Sequence, residues 1–392
     1  MNSPHTYPNR ARRVLLCAAP LAVLALPAMA HPTADAFIAL LEERGATIVS
    51  QGQVVADDHQ VLLNDVEATL NGRADHVLKF GRIALSDAEV GSDGGLSASA
   101  VAIENFMQGQ PDLDFHAERI LLTNLHVPTQ SPMMRTGTRE LFEFETAAVQ
   151  NALFQDYTSG ATVPVSQIAI ELTPASPKTS MGEQAQVSVS GVQVDFTALS
   201  DRQRAALDKL GIDELELSGT INGRWQQTTG TLDIEPLTVT ANKYATLRLS
   251  TTIEGLDEDI LAQFQRLAQQ EQTLALDLFQ GVNLVDLTLA LENEGDLETL
   301  LDAEAEARGQ TRTKMAQHTT ETLEHYLAPF QAPEFKEQLL AATATFLQEP
   351  KSFQLKLAPA APVTFEQVFG TIMLSPSSLP YLLGASIHAN SQ

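Results

Sequence analysis

The chain has 392 residues, 44% hydrophobic and 19% charged, with 24 Lys and Arg against 49 Asp and Glu for a net charge of -25. That length supports one large or two ordinary domains around a sizeable core, and the composition is globular rather than disordered. The acidic excess repels nucleic acid and anionic headgroups, which argues against a phosphate-reading role; solubility accounts for the charge.

Residues 1–30 read as a secretory signal. Arg10, Arg12 and Arg13 form its positive start, Val14 to Leu26 its apolar core, and Ala28-Met29-Ala30 a small-x-small cleavage site before His31. The apolar run is too short for a permanent anchor. Arg12-Arg13 fits a twin-arginine signal loosely, but the surrounding consensus is poor, so general secretory export to the periplasm is the expectation. Cys17 is the single cysteine and leaves with the signal. The mature chain therefore has no disulfide, thiolate metal site or cysteine nucleophile. No later apolar run reaches about 18 residues, so no transmembrane segment is expected after cleavage.

The mature chain opens on a short helix with Thr33 as cap, Phe37, Ile38, Leu40 and Leu41 as apolar stripe, and Gly45 as stop. From Ala46 to Val127 strand follows strand: 46–55, 61–70, 76–85, 96–106 and 113–127. Each alternates for four to eight residues and then slips by one, as at Val54-Val55 and Val61-Leu62-Leu63. Such slips fit bulges in a long curved sheet. Turn residues separate the strands at Asp57-Asp58, Asn71-Gly72, 93–95 and 110–112. A loop over 128–138 precedes a predicted helix, Arg139 to Leu153. Strands follow over 162–172 and 186–196, then a helix from the Ser200 cap to Leu210, ended by Gly211.

The centre of the chain is a meander. Residues 215–225, 245–253 and 285–291 alternate with period two, the pattern of a sheet with one buried face. Between them, 232–234 and 237–239 change register at Pro236. Two segments resemble each other forty residues apart. Each is a strand, then Glu254-Gly255 or Glu294-Gly295, then a helix with acid in its first turn. The helix after Gly255 carries Leu256, Ile260, Leu261, Phe264, Leu267 and Ala268 on one face. The last third is mostly helical, over 313–327 and 333–347, with a strand at 352–357, short helices at 365–374 and 379–383, and a possible edge strand at 385–389.

The run from Phe346 to Val363, with Glu349-Pro350 and the Pro359-Ala-Ala-Pro362-Val363 step, resembles a phrase in uncharacterised exported proteins of Gram-negative bacteria, as does Leu287 to Gly309. The match covers roughly the last hundred residues and implies a periplasmic location with no known activity. The strand-rich portion is distantly similar in texture to AsmA-like β-groove envelope proteins, without sharing a motif.

No nucleophile elbow, phosphate loop, dinucleotide fingerprint or His-Glu-x-x-His occurs. His318, Glu321 and His325 fall on one helix face at spacings of three and four, the best metal-like cluster; a solvated polar face is the plainer reading. His116 and His126 share a strand face but are too far apart to share a metal. Asp87, Glu89 and Asp93 invite a calcium reading, but the EF-hand positions fail. Asp112 with Asp114, and Asp257 with Asp259, read as turn and helix-start acids. Trp225, the single tryptophan, falls on the apolar face of its strand, as do Leu247, Leu249, Leu287 and Leu289; core packing and a groove wall are its two readings.

The expected fold is α+β: a long curved antiparallel β-sheet, in one piece or two, with amphipathic helices mostly from the C-terminal half over its apolar face. The chain divides into a signal at 1–30, a β-rich region at 31–211, the meander at 212–301 and a mainly helical region at 302–392. The expected function is non-catalytic, with no cofactor: a structural or protein-interaction module of the envelope, its partner an envelope protein. The competing reading is a carrier of lipid or another apolar ligand in a β-groove. An open channel of several hundred Å3 favours the carrier and a packed face favours the module.

Overall fold

The computed structural model describes residues 31–391, apart from 71, 93, 129–142, 174–182, 258, 261–262, 264–280 and 329–331. The signal, Cys17, Asp93, most of the 128–138 loop and most of the helix after Gly255 lie outside the described residues.

The strands are β1 (Ala46–Ser50), β2 (Val54–Ala56), β3 (Gln60–Leu70), β4 (Arg73–Ser86), β5 (Glu89–Val90), β6 (Leu96–Gly109), β7 (Leu113–Val127), β8 (Thr146–Asp156) and β9 (Thr162–Thr173). They continue through β10 (Glu183–Gln193), β11 (Glu216–Gln226), β12 (Thr231–Ala241), β13 (Ala245–Glu254), β14 (Asn283–Asn293), β15 (Ser352–Leu357), β16 (Val363–Thr364) and β17 (Ala385–Ala389). Every pairing is antiparallel, and each row bonds to the next in chain order. Three rows are broken in two: β1 and β2 share one edge of β3, β4 and β5 share β6, and β15 and β16 share β14. Among the described residues β17 pairs only with β15, and β1 and β2 only with β3. The sheet is thus one long open meander.

One apolar face runs across it. Val66, Phe80, Phe106, Ala117, Ala152, Val165, Val192, Leu217, Ala241 and Ala245 are successive register partners from β3 to β13. Directly opposed residues share a face, so this line fixes the inner side. Four rings stack along it. Phe80 and Phe106 lie 5.2 Å apart between centroids, Phe106 and Phe115 5.9 Å, and Phe115 and Phe154 4.8 Å.

The slips align into creases. In β3 the buried positions are Val61 and Leu63, then Val66 and Ala68. In β4 the inner-face buried positions are Leu78 and Phe80, then Ile83 and Leu85, with Ala84 between them buried as well. A step of three replaces the step of two at Asp65 and at Gly81. The same break continues across the rows through Asn105, Glu118, Asn151, Ser166 and Gly191, each opposite the next and skipped by the ladder. Alternate members are left-handed: Asp65 (φ 49°), Asn105 (52°), Asn151 (50°) and Gly191 (63°). Asn and Asp tolerate that conformation better than other side chains, and Asn151 Nδ2 donates to Glu118 of the neighbouring row. A second, shorter crease runs through Asp87 (φ 45°), Ser99, Asn124 (φ 48°) and Glu145. Here Ser99 Oγ donates to Asp87 Oδ2 at 3.0 Å, and Asn124 Nδ2 donates to Glu145. The register is unchanged on either side of each break, so these are paired kinks and not inserted residues; kinks in line bend the whole sheet. The expected slips are therefore real, but in β3 the break falls at Asp65 and not at Val61–Leu63.

Two further expectations are corrected. The helix predicted over Arg139 to Leu153 is in its described part strand β8, because β7 and β9 take its backbone hydrogen bonds on both sides. Its apolar residues Ala147, Val149, Ala152 and Phe154 step two, three, two around Asn151, a spacing that imitates a helical stripe. Helix α1 (Pro32–Glu43) begins one residue before its expected cap. His31 takes the capping position, and Thr33 is buried inside the first turn. Pro32 suits that turn because its missing N–H has no helical partner there.

Helix α1 packs on β1, β3, β5 and β6, and its Phe37 and Leu40 join Leu63, Ile83, Leu85 and Leu96 in a closed core. α2 (Asp201–Lys209) sits between β10 and β11, and Gly211 ends it (φ 69°). Between β14 and β15 come α3 (Leu297–Ala307), α4 (Arg312–Leu327) and α5 (Pro333–Gln348). α5 packs on β17 and β15, with Phe346 5.6 Å from Phe353. α6 (Phe365–Leu374) and α7 (Leu379–Leu382) lead from β16 to β17. Thr364 and Gln367 form a reciprocal cap at the start of α6. No helix among the described residues is long and apolar enough to cross a membrane.

The β8–β9 turn shows how local acids are used. Asp156 accepts from the Thr158 and Ser159 hydroxyls and from the Thr158 N–H, and these bonds lower its pKa to about 2. A carboxylate depressed in the folded state adds stability above its ordinary value, and this is lost as pH falls through the folded value. Asp156→Asn is thus expected to remove part of the fall in melting temperature between about pH 4 and pH 2. An unchanged acid limb in a pH series of melts would refute it.

Candidate functional site

The inner face is not equally filled. Rows β3 to β6 are packed solid beneath α1. From β8 to β14 most positions are only half-buried, and on the inner face Val239 and Leu247 keep 38% and 40% of their surface exposed. Among the described residues no helix packs broadly on β8 to β13.

A cavity of about 840 Å3 opens there. Its apolar wall is Phe144, Leu172, Ala185, Gly223, Trp225 and Leu232, and Glu143, Glu145 and Glu183 also line it, Glu183 directly opposite Trp225. Register places the wall on one face: Leu172 opposes Ala185, Ala185 opposes Gly223, and Trp225 opposes Leu232. Trp225 donates its indole N–H to the Leu256 carbonyl at 2.8 Å, so its polar edge is satisfied by backbone and its ring is left as apolar wall. That carbonyl is delivered by Gly255, where φ is 84° and a Cβ would lie 2.1 Å from the Gly281 oxygen; only glycine fits. Gly223 has nothing within 4 Å of where its Cβ would stand, so the floor has room. The opposite face of the same strands is polar, with Glu171, Gln184, Gln186, Arg224, Asp233 and Glu235 around a cavity of about 290 Å3.

The sequence-predicted groove residues divide. Trp225 lines the cavity. Leu247, Leu249, Leu287 and Leu289 lie on the same inner face, Leu249 opposite Leu289 and Thr251 opposite Leu287, but do not line the cavity. The two similar segments are neighbours: β13 and β14 pair antiparallel, with Leu247 opposite Leu291. Phe144 was read on a helix, and Leu172, Ala185, Gly223 and Leu232 carry no mark of their own. Only register brings them together.

His318, Glu321 and His325 are exposed on α4; Glu321 accepts from Gln317, and the His325 ring lies edge-on to Tyr326 with centroids 6.3 Å apart. Among the described residues no three His, Cys, Asp or Glu gather as metal ligands. His116 and His126 occupy the outer face of β7, near Asp114 and bonded to Ser97 respectively. Asp87 belongs to the second crease. Asp114 accepts from the Tyr157 hydroxyl at 2.6 Å, which raises the pKa of that phenol.

A family model described as an uncharacterized protein matches residues 238–390, from the second half of β12 through β17. No curated protein matches the chain.

Proposed function

We propose that this chain binds a lipid acyl chain, without catalysis, along the inner face of its curved sheet, and that it does so in the periplasm after loss of residues 1–30. The observation that carries the reading is the cavity of about 840 Å3 on the continuous apolar face, a size in the range of ligand sites. Among the described residues, α1 at one end and α5 at the other cover the terminal rows of that face, and no helix packs broadly on the middle rows. Glu143, Glu145 and Glu183 in the lining disfavour an anionic head, so a lipid whose head carries an ammonium group fits better than a free fatty acid.

Native mass spectrometry of protein taken from the periplasm is expected to show a co-purifying phospholipid. A pyrene-labelled phosphatidylethanolamine is expected to bind more tightly than a labelled fatty acid. Absence of both bound lipid and uptake would sink the proposal. The second reading, an envelope interaction module with no ligand, draws support from the solid packing of β3 to β6. It predicts a co-purifying protein and no lipid.

A further inference from the structure

The final stretch of the chain differs from the rest. No Asp, Glu, Lys or Arg occurs from Gln367 to Gln392, in a chain with 19% charged residues. This span holds most of α6 and all of α7. The end of α6 presents Ile372, Met373 and Leu374 at 46%, 83% and 89% exposure, and Tyr381 of α7 is 57% exposed. Single exposed apolar residues need no explanation, but three in succession at a helix end with an aromatic nearby do.

The charge pattern selects the occupant. A chain at net -25 is repelled by anionic headgroups. A surface that touches lipid must therefore shed its acids locally, as this one does. Ser375 and Ser377 follow the apolar tip with uncharged hydroxyls suited to headgroup hydrogen bonds, while Ser378 donates to the Ser375 carbonyl, and tyrosine favours the interface. We infer that the tip formed by Ile372, Met373, Leu374 and Tyr381 docks the protein shallowly on a lipid surface. The contact is apolar and needs no membrane-spanning element.

The tip also has a definite relation to the cavity. Trp225 opposes Leu232, Leu232 opposes Ile253, Ile253 opposes Leu284, and Leu284 opposes Val363, just ahead of α6. Trp225 and the start of the helix that carries the tip therefore lie at the same end of the sheet, four rows apart. Docking itself stands without the groove reading; passage of lipid between surface and cavity rests on it.

The test is flotation of the processed protein with phosphatidylethanolamine–phosphatidylglycerol vesicles, three to one. The wild-type protein is expected to float, and no less at about 0.5 M than at about 0.1 M salt, because the contact itself is apolar and salt screens only the repulsion between the acidic chain and phosphatidylglycerol. Met373→Asp with Leu374→Asp is expected to cut the bound fraction at least about tenfold, since each side chain removed from lipid contributes on that order. Both positions are largely exposed, so the melting temperature and the uptake of pyrene-labelled lipid from detergent are expected to stay at wild-type values. Retained uptake with lost flotation separates docking from the groove. Wild-type protein that stays at the bottom, or a variant that floats equally, overturns the inference. So does a wild-type dimer in light scattering that the same two substitutions split, because a second copy then owns the tip.

Discussion

Asn151→Val is expected to lower stability by about 2–3 kcal/mol, while Asn151→Gly changes it little. Asn151 holds φ at 50° in the middle of β8, on the crease that crosses from Asp65 to Gly191. A left-handed residue costs an ordinary side chain about 1–2 kcal/mol, and a β-branched one more. Valine is otherwise a good strand residue, so propensity alone predicts the opposite sign. The bond from Asn151 to Glu118 is also lost, but both groups are exposed and its share is small. Paired melts of the two variants decide: a valine variant as stable as the glycine variant would mean that the crease is not a fixed feature of the sheet.

Gly223→Phe is expected to weaken lipid uptake by about tenfold or more and to leave the fold intact. The residue sits in strand β11 with an ordinary backbone, and its missing side chain faces open space on the cavity floor. Phenylalanine favours strands, so stability should hold or rise slightly. The added ring would occupy volume now open beside Ala185 and Trp225, and a bound chain would lose contact with that wall. Each 1.4 kcal/mol of lost contact is a factor of ten. Titration with pyrene-labelled phosphatidylethanolamine measures it. Unchanged affinity in a stably folded Gly223→Phe protein would place the ligand elsewhere or nowhere.

Much of the architecture was legible in residue order. The alternation of 215–225, 245–253 and 285–291 marked β11, β13 and β14 within two residues, and Pro236 marked the register shift in β12. Those signals are local: side chains alternate across a strand whatever its neighbours do. The helix predicted from Arg139 failed for a related reason. A strand with a left-handed break spaces its apolar residues as a helix does, and only pairing partners tell the two apart. The cavity was less legible still. Trp225 announced itself by size and parity, but Gly223 and Ala185 are apolar positions like many others. Leu247 and Leu249 bore an equally strong signal and lie farther along the face.

By itself, then, the order of residues determined that the chain alternates, where most strands begin and end, and which side of each is apolar. Period two is a property of one strand, and no neighbour is needed to express it. The tertiary structure alone decided that the slips fall in line, so that Asp65, Asn105 and Asn151 bend one sheet together. It alone decided that residues from Phe144 to Leu232 share a wall, and that α6 starts at the same end of the sheet, four rows from Trp225. Each of these depends on which rows lie side by side and in what register, and hydrogen bonds between distant segments set that.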